Sequence, residues 1–157
     1  MNCPVTVKSE FNYGLGMRKA IYMAYAGAVP NTPVIDRANC LYFQDKSCTA
    51  CVDLCPTKAV NLSDVEREES LKVGAILFTA GLDLYEKGKE AQRFGLGKIE
   101  DVISNYQLER LISIYGPTLG EVKRPSDSNV AERVGIILCV DQRNDDYRVC
   151  SGYCCSP

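Results

Sequence analysis

Four of the nine cysteines in this chain fall in one short run, Cys40-x7-Cys48-x2-Cys51-x3-Cys55-Pro56. Thiols this dense do not build an ordinary apolar interior. They are satisfied by one another, as disulfides, or by a shared metal centre. The chain has no histidine, which removes Ser-His-Asp and Cys-His catalysis, His-containing zinc sites and haem attachment through Cys-x2-Cys-His. What remains is thiol chemistry. The 157 residues, 46% hydrophobic, allow one globular domain or a domain with a small appended module. A formal net charge of -2 gives no electrostatic footprint for nucleic acid or an anionic membrane.

The N-terminal stretch MNCPVTVKSEFNYGLG lacks the continuous apolar segment of an export signal. The longest apolar runs, VGAILFTAG and VGIILCV, are strand-sized and too short to span a bilayer. The expected location is cytoplasmic. In that reducing compartment clustered thiols are more often metal ligands or redox groups than structural disulfides.

The expected organisation is α/β in two parts. Residues 1–65 carry five cysteines among glycines and prolines with little helical periodicity, as in a loop-rich module held together by something other than a core. Residues 66–157 read as α/β material. Val73-Gly-Ala-Ile-Leu-Phe78 predicts a buried strand that stops at Thr79-Ala80-Gly81. Ser104 and Gln107 form a capping box ahead of Leu108, Leu111, Ile112 and Tyr115, which predicts a helix ended by Gly116-Pro117. Lys123–Asn129 reads as a polar loop, and Val134–Val140 as a second buried strand. Two strands around a helix suggest a parallel layer with both edges open. The acidic and basic run Glu66, Arg67, Glu68, Glu69 reads as a solvated face.

The part Cys48-x2-Cys51-x3-Cys55-Pro56 matches the end of the bacterial ferredoxin run that holds a [4Fe-4S] cluster. Each iron of the cube takes one thiolate, so closely spaced cysteines let a tight loop reach several corners, and the proline turns the chain away. The competing reading is a four-cysteine zinc site, which ordinarily pairs two Cys-x2-Cys knuckles and rarely uses Cys-x3-Cys-Pro. Cys3-Pro4 adds a second ambiguity. In two-cluster ferredoxins the cysteine before proline ligates the other cluster. The first site is therefore either Cys3, Cys40, Cys48 and Cys51, or Cys40, Cys48, Cys51 and Cys55; both share three ligands. A second group, Cys139-x10-Cys150-x3-Cys154-Cys155, supplies four more thiols. By spacing alone a cluster, a zinc ion and a vicinal redox dithiol are comparable there.

Several further segments, in order, resemble the A-type subunit of heterodisulfide reductase and related iron-sulfur flavoprotein subunits. They are Phe11-Asn12-x-Gly14-Leu15-Gly16-x-Arg18-Lys19-Ala20-Ile21-Tyr22, Ala28-Val29-Pro30-Asn31, Val34-Ile35-Asp36 and Cys40-x-Tyr42-Phe43. Beyond the first cysteine run come Val73-Gly74-Ala75-Ile76, Gly116-Pro117-Thr118, Arg124-Pro125-Ser126-Asp127 and the closing cysteines. The resemblance implies an internal or truncated piece of a longer subunit. It would comprise the second half of a ferredoxin-like module, then part of a thioredoxin-reductase-like FAD/NAD(P)-binding flavoprotein domain. It also implies a second [4Fe-4S] site at Cys139, Cys150, Cys154 and Cys155.

The implied role is that of an oxidoreductase subunit rather than a complete enzyme. It would relay electrons between a flavin and partner subunits that reduce a disulfide such as CoM-S-S-CoB. The implied partners are B- and C-type subunits of heterodisulfide reductase and an electron-donating hydrogenase or dehydrogenase subunit. The chain carries no G-x-G-x-x-G fingerprint, and Gly14-x-Gly16 reads as a turn. Gly74 and the turn Thr79-Ala80-Gly81 occupy the positions the resemblance assigns to the neighbourhood of FAD, which would bind only with the remaining parts of the subunit. The alternatives are a zinc- or cluster-stabilised assembly module without redox turnover, and a non-functional piece of the full subunit.

Overall fold

The computed structural model describes residues 2–81, 92–140, 143 and 150. The chain divides into two compact units, Met1–Leu82 and Asp83–Pro157.

In the first unit, β1 (Thr6–Lys8) pairs antiparallel with β2 (Met17–Lys19), with Thr6 opposite Lys19. A loop with Gly14 and Gly16 at φ of 81° and 71° joins them, a left-handed geometry that glycine adopts without strain. Both glycines thus serve a turn, as their spacing predicts. Ser9 closes the loop: its N–H donates to the Gly16 carbonyl and its own carbonyl accepts from Gly14. Its hydroxyl accepts from the Asn12 N–H, which accounts for a buried serine at this point. Phe11 stacks on Tyr25 across the outside, centroids 5.0 Å apart.

β3 (Ile21–Tyr22) pairs antiparallel with β4 (Val34–Ile35). Two short helices follow, α1 (Leu41–Asp45) and α2 (Ala50–Asp53). Cys40 is the N-cap of α1, and no side chain caps it. Cys51 lies within α2. Beyond it, Lys58 donates to the Cys55 carbonyl and takes φ of 52°, so Thr57–Val60 leaves the run as a turn. Ala20 and Ala28 are this unit's only buried apolar residues among those described. Two alanines are a very small core, consistent with a module that depends on something besides apolar burial.

In the second unit, α3 (Asn105–Ile112) begins at Ser104 with both halves of the capping box formed. The Ser104 hydroxyl accepts from the Gln107 N–H, and the Gln107 side chain accepts from the Ser104 N–H. Leu111 is the buried anchor, 3% exposed. The helix ends at Ile112, one turn before the expected Gly116-Pro117 stop. Ser113 takes an extended conformation, its carbonyl accepts from Gly116, and Thr118 Oγ1 donates to the Leu111 carbonyl. The last helical carbonyls thus find partners in the reversing chain. Gly116 packs against the Arg110 carbonyl so closely that any Cβ would collide with it, and Tyr115 falls outside the helix, exposed. The Lys123–Asn129 loop is present, closed by a Lys123–Val130 bridge and by Arg124 with Asp127.

The sheets are small and antiparallel, and the whole is compatible with a mixed α/β chain. The two expected buried strands do not form. Ile76, Leu77 and Phe78 are 82%, 86% and 87% exposed, in a segment without regular structure or ladder partners among the described residues. Ile136, Ile137 and Leu138 are likewise exposed. An apolar run becomes a buried strand only when other strands and a covering layer meet it, and among the described residues nothing does. No described helix is long and apolar enough to cross a membrane.

Candidate metal centre

One small pocket in the first unit gathers Cys3, Cys40, Cys48 and Cys51. Between the sulfurs its wall is aliphatic: Val5, Ala20, Ile21, Ile35 and Leu41. Each thiol arrives on a different piece of local structure. Cys3 enters on the segment leading into β1, Cys40 from the N-terminus of α1, Cys48 from the loop after α1, and Cys51 from α2. All four are partly buried. Of the two ligand sets open to the sequence, the pocket assembles the one containing Cys3.

Cys55 does not line it. Its sulfur lies 3.5 Å from the Thr57 hydroxyl and accepts the Ala59 N–H at 3.4 Å. Those bonds, the Thr57 contact foremost, bring its pKa down to about 7. Cys51 is shifted the opposite way. Burial pushes its thiol up, and the adjacent Cys40 and Cys48 add to the rise. The contrast is physical. A thiolate in an apolar pocket beside other thiols is disfavoured until a cation supplies the missing positive charge.

The donor set therefore suits a thiophilic metal or an iron-sulfur cluster: four soft ligands, an apolar wall and no competing oxygen side chain. The sulfurs share a wall rather than a point, and no group of three described Cys, Asp or Glu residues is gathered tightly enough to hold a single ion. All seven described cysteines are free thiols, so no disulfide framework exists among them.

For the second expected site, Cys139 is partly buried with φ of 55° and Cys150 is exposed; Cys154 and Cys155 lie outside the described residues. Gly74, Thr79, Ala80 and Gly81 all sit in an exposed segment without helix or strand. Gly81 has φ of 75° and open space where a Cβ would be. The structure brings these four residues to no pocket among the described residues.

A small loop-rich unit with four cysteines on one apolar pocket has the donor types of a thiolate-ligated metal or cluster site. Comparison with known proteins narrows the class. The chain is 36% identical to the A-type subunit of ferredoxin:CoB-CoM heterodisulfide reductase from Methanosarcina mazei, over 98% of this chain and 19% of that protein. It is 37% identical to the iron-sulfur A-type subunit of CoB-CoM heterodisulfide reductase from Methanocaldococcus jannaschii, over 98% of this chain and 23% of that one. A third relative is the A-type subunit of H2:CoB-CoM heterodisulfide,ferredoxin reductase from Methanothermobacter thermautotrophicus, at 34% identity over the same shares, 98% and 23%. No family model matches. Along nearly its whole length, then, this chain is a relative of the heterodisulfide reductase A-type subunits. It spans about a fifth of the length of these curated relatives.

Sequence reasoning saw the cysteines but missed Arg18 and Asp36 as neighbours of the site. Arg18 of β2 donates through Nη2 to Asp36 Oδ2 at 2.9 Å and to Glu10 Oε1 at 2.7 Å. No local signal links two positions so far apart in sequence.

Proposed function

We propose that this chain is an iron-sulfur electron-transfer component, with a [4Fe-4S] cluster on Cys3, Cys40, Cys48 and Cys51. The observation that carries the proposal is that those four cysteines line one apolar pocket. The name of the Methanocaldococcus relative, which calls it an iron-sulfur subunit, supports the choice of iron-sulfur over zinc. A bound cluster supplies one-electron transfer, and this chain's part is to hold it and limit water around it. With no histidine, and with proton-free electron transfer as the task, no side-chain acid or base is required.

On this reading residues 1–65 form the ferredoxin-like module and 66–157 belong to a flavoprotein segment. Cys139, Cys150, Cys154 and Cys155 hold a second cluster. Gly74, Thr79, Ala80 and Gly81 approach FAD when the rest of a flavoprotein sheet is present; the strand-sized, exposed apolar segment just before the turn supports that assignment. The names of the relatives, which join the CoB-CoM heterodisulfide to ferredoxin and to H2, support a place in a redox complex, which on this reading is cytoplasmic. Its partners there are B- and C-type subunits and a hydrogenase- or dehydrogenase-type donor.

The test is a reductive titration of the anaerobically reconstituted full chain, followed by EPR. One electron is expected per cluster, with a paramagnetic signal appearing on reduction and disappearing on reoxidation. A loaded protein that takes up no electrons would reduce the chain to an assembly module.

A further inference from the structure

We propose that the Arg18–Asp36 pair is a positioning device for Cys40, one that fixes where this thiol meets the cluster. The proposal rests on the iron-sulfur reading above and adds residues outside the ligand set. It starts from the burial of the pair. The side chains of Arg18 and Asp36 are only 9% and 11% exposed, whereas Glu10, the other acid on Arg18, is 74% exposed. The guanidinium lies over the Tyr22 ring, 4.0 Å from its centroid, and Nη1 donates to the Lys19 carbonyl at 3.3 Å. Arg18 is thereby held by β2 and β3 before it meets Asp36.

The carboxylate and carbonyl of Asp36 then act on the approach to Cys40. Oδ1 accepts the Asn39 N–H at 3.2 Å, and Oδ2 accepts the Asn39 side-chain amide at 2.9 Å beside Arg18. The Asp36 carbonyl accepts the N–H of Cys40 itself at 2.9 Å. The Asp36 N–H donates to the carbonyl of Ala20 at 2.8 Å, and Ala20 is part of the pocket wall. One residue thus ties the wall to the ligand. Cys40 in turn uses its carbonyl to start α1, accepting from Phe43 and Gln44, and its sulfur takes no capping bond. The backbone is held on both sides of Cys40 while the thiol stays available.

Polar groups fixed by several short bonds hold a ligand against the pull of the metal, as outer-shell partners do in metal sites generally. Arg18 is needed because its guanidinium, fixed by the Lys19 carbonyl and the Tyr22 ring, holds the Asp36 carboxylate where it meets Asn39. Glu10 is not, since its exposed carboxylate is screened by water.

The test uses the reconstituted full chain and its Asp36→Ala, Asp36→Asn, Glu10→Ala and Cys40→Ser variants. Asp36→Ala is expected to load iron yet lose about one iron of the four in that cluster, with the oxidised EPR signal of a three-iron centre matching that of Cys40→Ser. Asp36→Asn is expected to show the same signal more weakly, and Glu10→Ala the wild-type spectrum. A structural role alone would lower iron and thermal stability together without a one-corner signature. Wild-type iron and spectrum in Asp36→Ala overturn the proposal. Should Asp36→Ala load nothing, Asp36→Asn decides in the same way.

A metal-free readout separates this proposal from the iron-sulfur reading. Hydrogen exchange at the Cys40 amide is expected to quicken about tenfold in Asp36→Ala, while α3 amides keep their rates. An unchanged Cys40 rate overturns the positioning role. Absence of iron uptake by the wild-type chain overturns the iron-sulfur reading instead.

Discussion

Cys3→Ser is expected to leave the first cluster unable to hold its full complement of about four irons, whereas Cys55→Ser loads like the wild type. The two variants change the same atom at the two positions that the sequence leaves interchangeable, so the comparison isolates ligand choice. The structure separates them by environment. Cys3 shares the aliphatic pocket with Cys40, Cys48 and Cys51, while the Cys55 sulfur is held outside by Thr57 and Ala59.

Thiol labelling of the loaded wild-type protein gives an independent reading. An aromatic disulfide reagent should modify Cys55 and leave Cys3 protected. Because the hydrogen bonds to Cys55 lower its pKa to about 7, its labelling rate should climb as pH rises through that value and level off above it. At neutral pH the larger thiolate fraction outweighs the lower intrinsic nucleophilicity, giving a rate roughly threefold above an ordinary exposed thiol. Cys55→Ser stripping the cluster, with Cys3 labelled freely, would assign the ligands the other way.

Removal of the metal should have the second large effect. The first unit has only Ala20 and Ala28 as buried apolar residues among those described, too few to stabilise a fold by apolar transfer alone. Its remaining order rests on two short antiparallel strand pairs, two short helices, turns and the Arg18–Asp36 pair. Where a small unit's ligands are organised by its metal, binding free energy is folding free energy. Iron chelation under anaerobic conditions is therefore expected to speed hydrogen exchange at Ser9, Asp36 and Cys40 by about a hundredfold or more. The α3 amides in the second unit serve as the internal reference. That helix depends on a complete capping box and on Leu111, neither of which needs a metal. Equal acceleration in both units, or none in the first, would contradict this division of stabilising forces.

How much of this was legible in the residues follows from the range of each interaction. The capping box at Ser104 and Gln107 was readable because its two hydrogen bonds span a single turn. The Gly14-x-Gly16 turn was readable because positive φ is a local requirement met by glycine. Cysteine spacing likewise pointed to a cysteine-lined pocket and to three of the cysteines that line it. It left the fourth open because Cys3 joins the others only through the folding of β1 to β4, which spacing does not encode. The Arg18–Asp36 pair was hidden for the same reason.

The apolar runs Val73–Phe78 and Val134–Val140 show the opposite error. Their residues state a preference for burial, but burial requires a second surface, and in the described structure those side chains meet solvent. α3 ends one turn before the Gly116-Pro117 stop that its residues predict. The contacts that stop it, Thr118 on the Leu111 carbonyl and Gly116 against Arg110, come from chain that folds back after the helix.

An iron-sulfur cluster on Cys3, Cys40, Cys48 and Cys51 is tested by counting iron, acid-labile sulfide and zinc in parallel on the anaerobically reconstituted full chain and on Cys51→Ser. Cys51→Ser is expected to lose about four irons and about four sulfides relative to the wild type, with zinc negligible in both. A colourless wild-type protein carrying zinc alone, or equal iron in the two proteins, would contradict it.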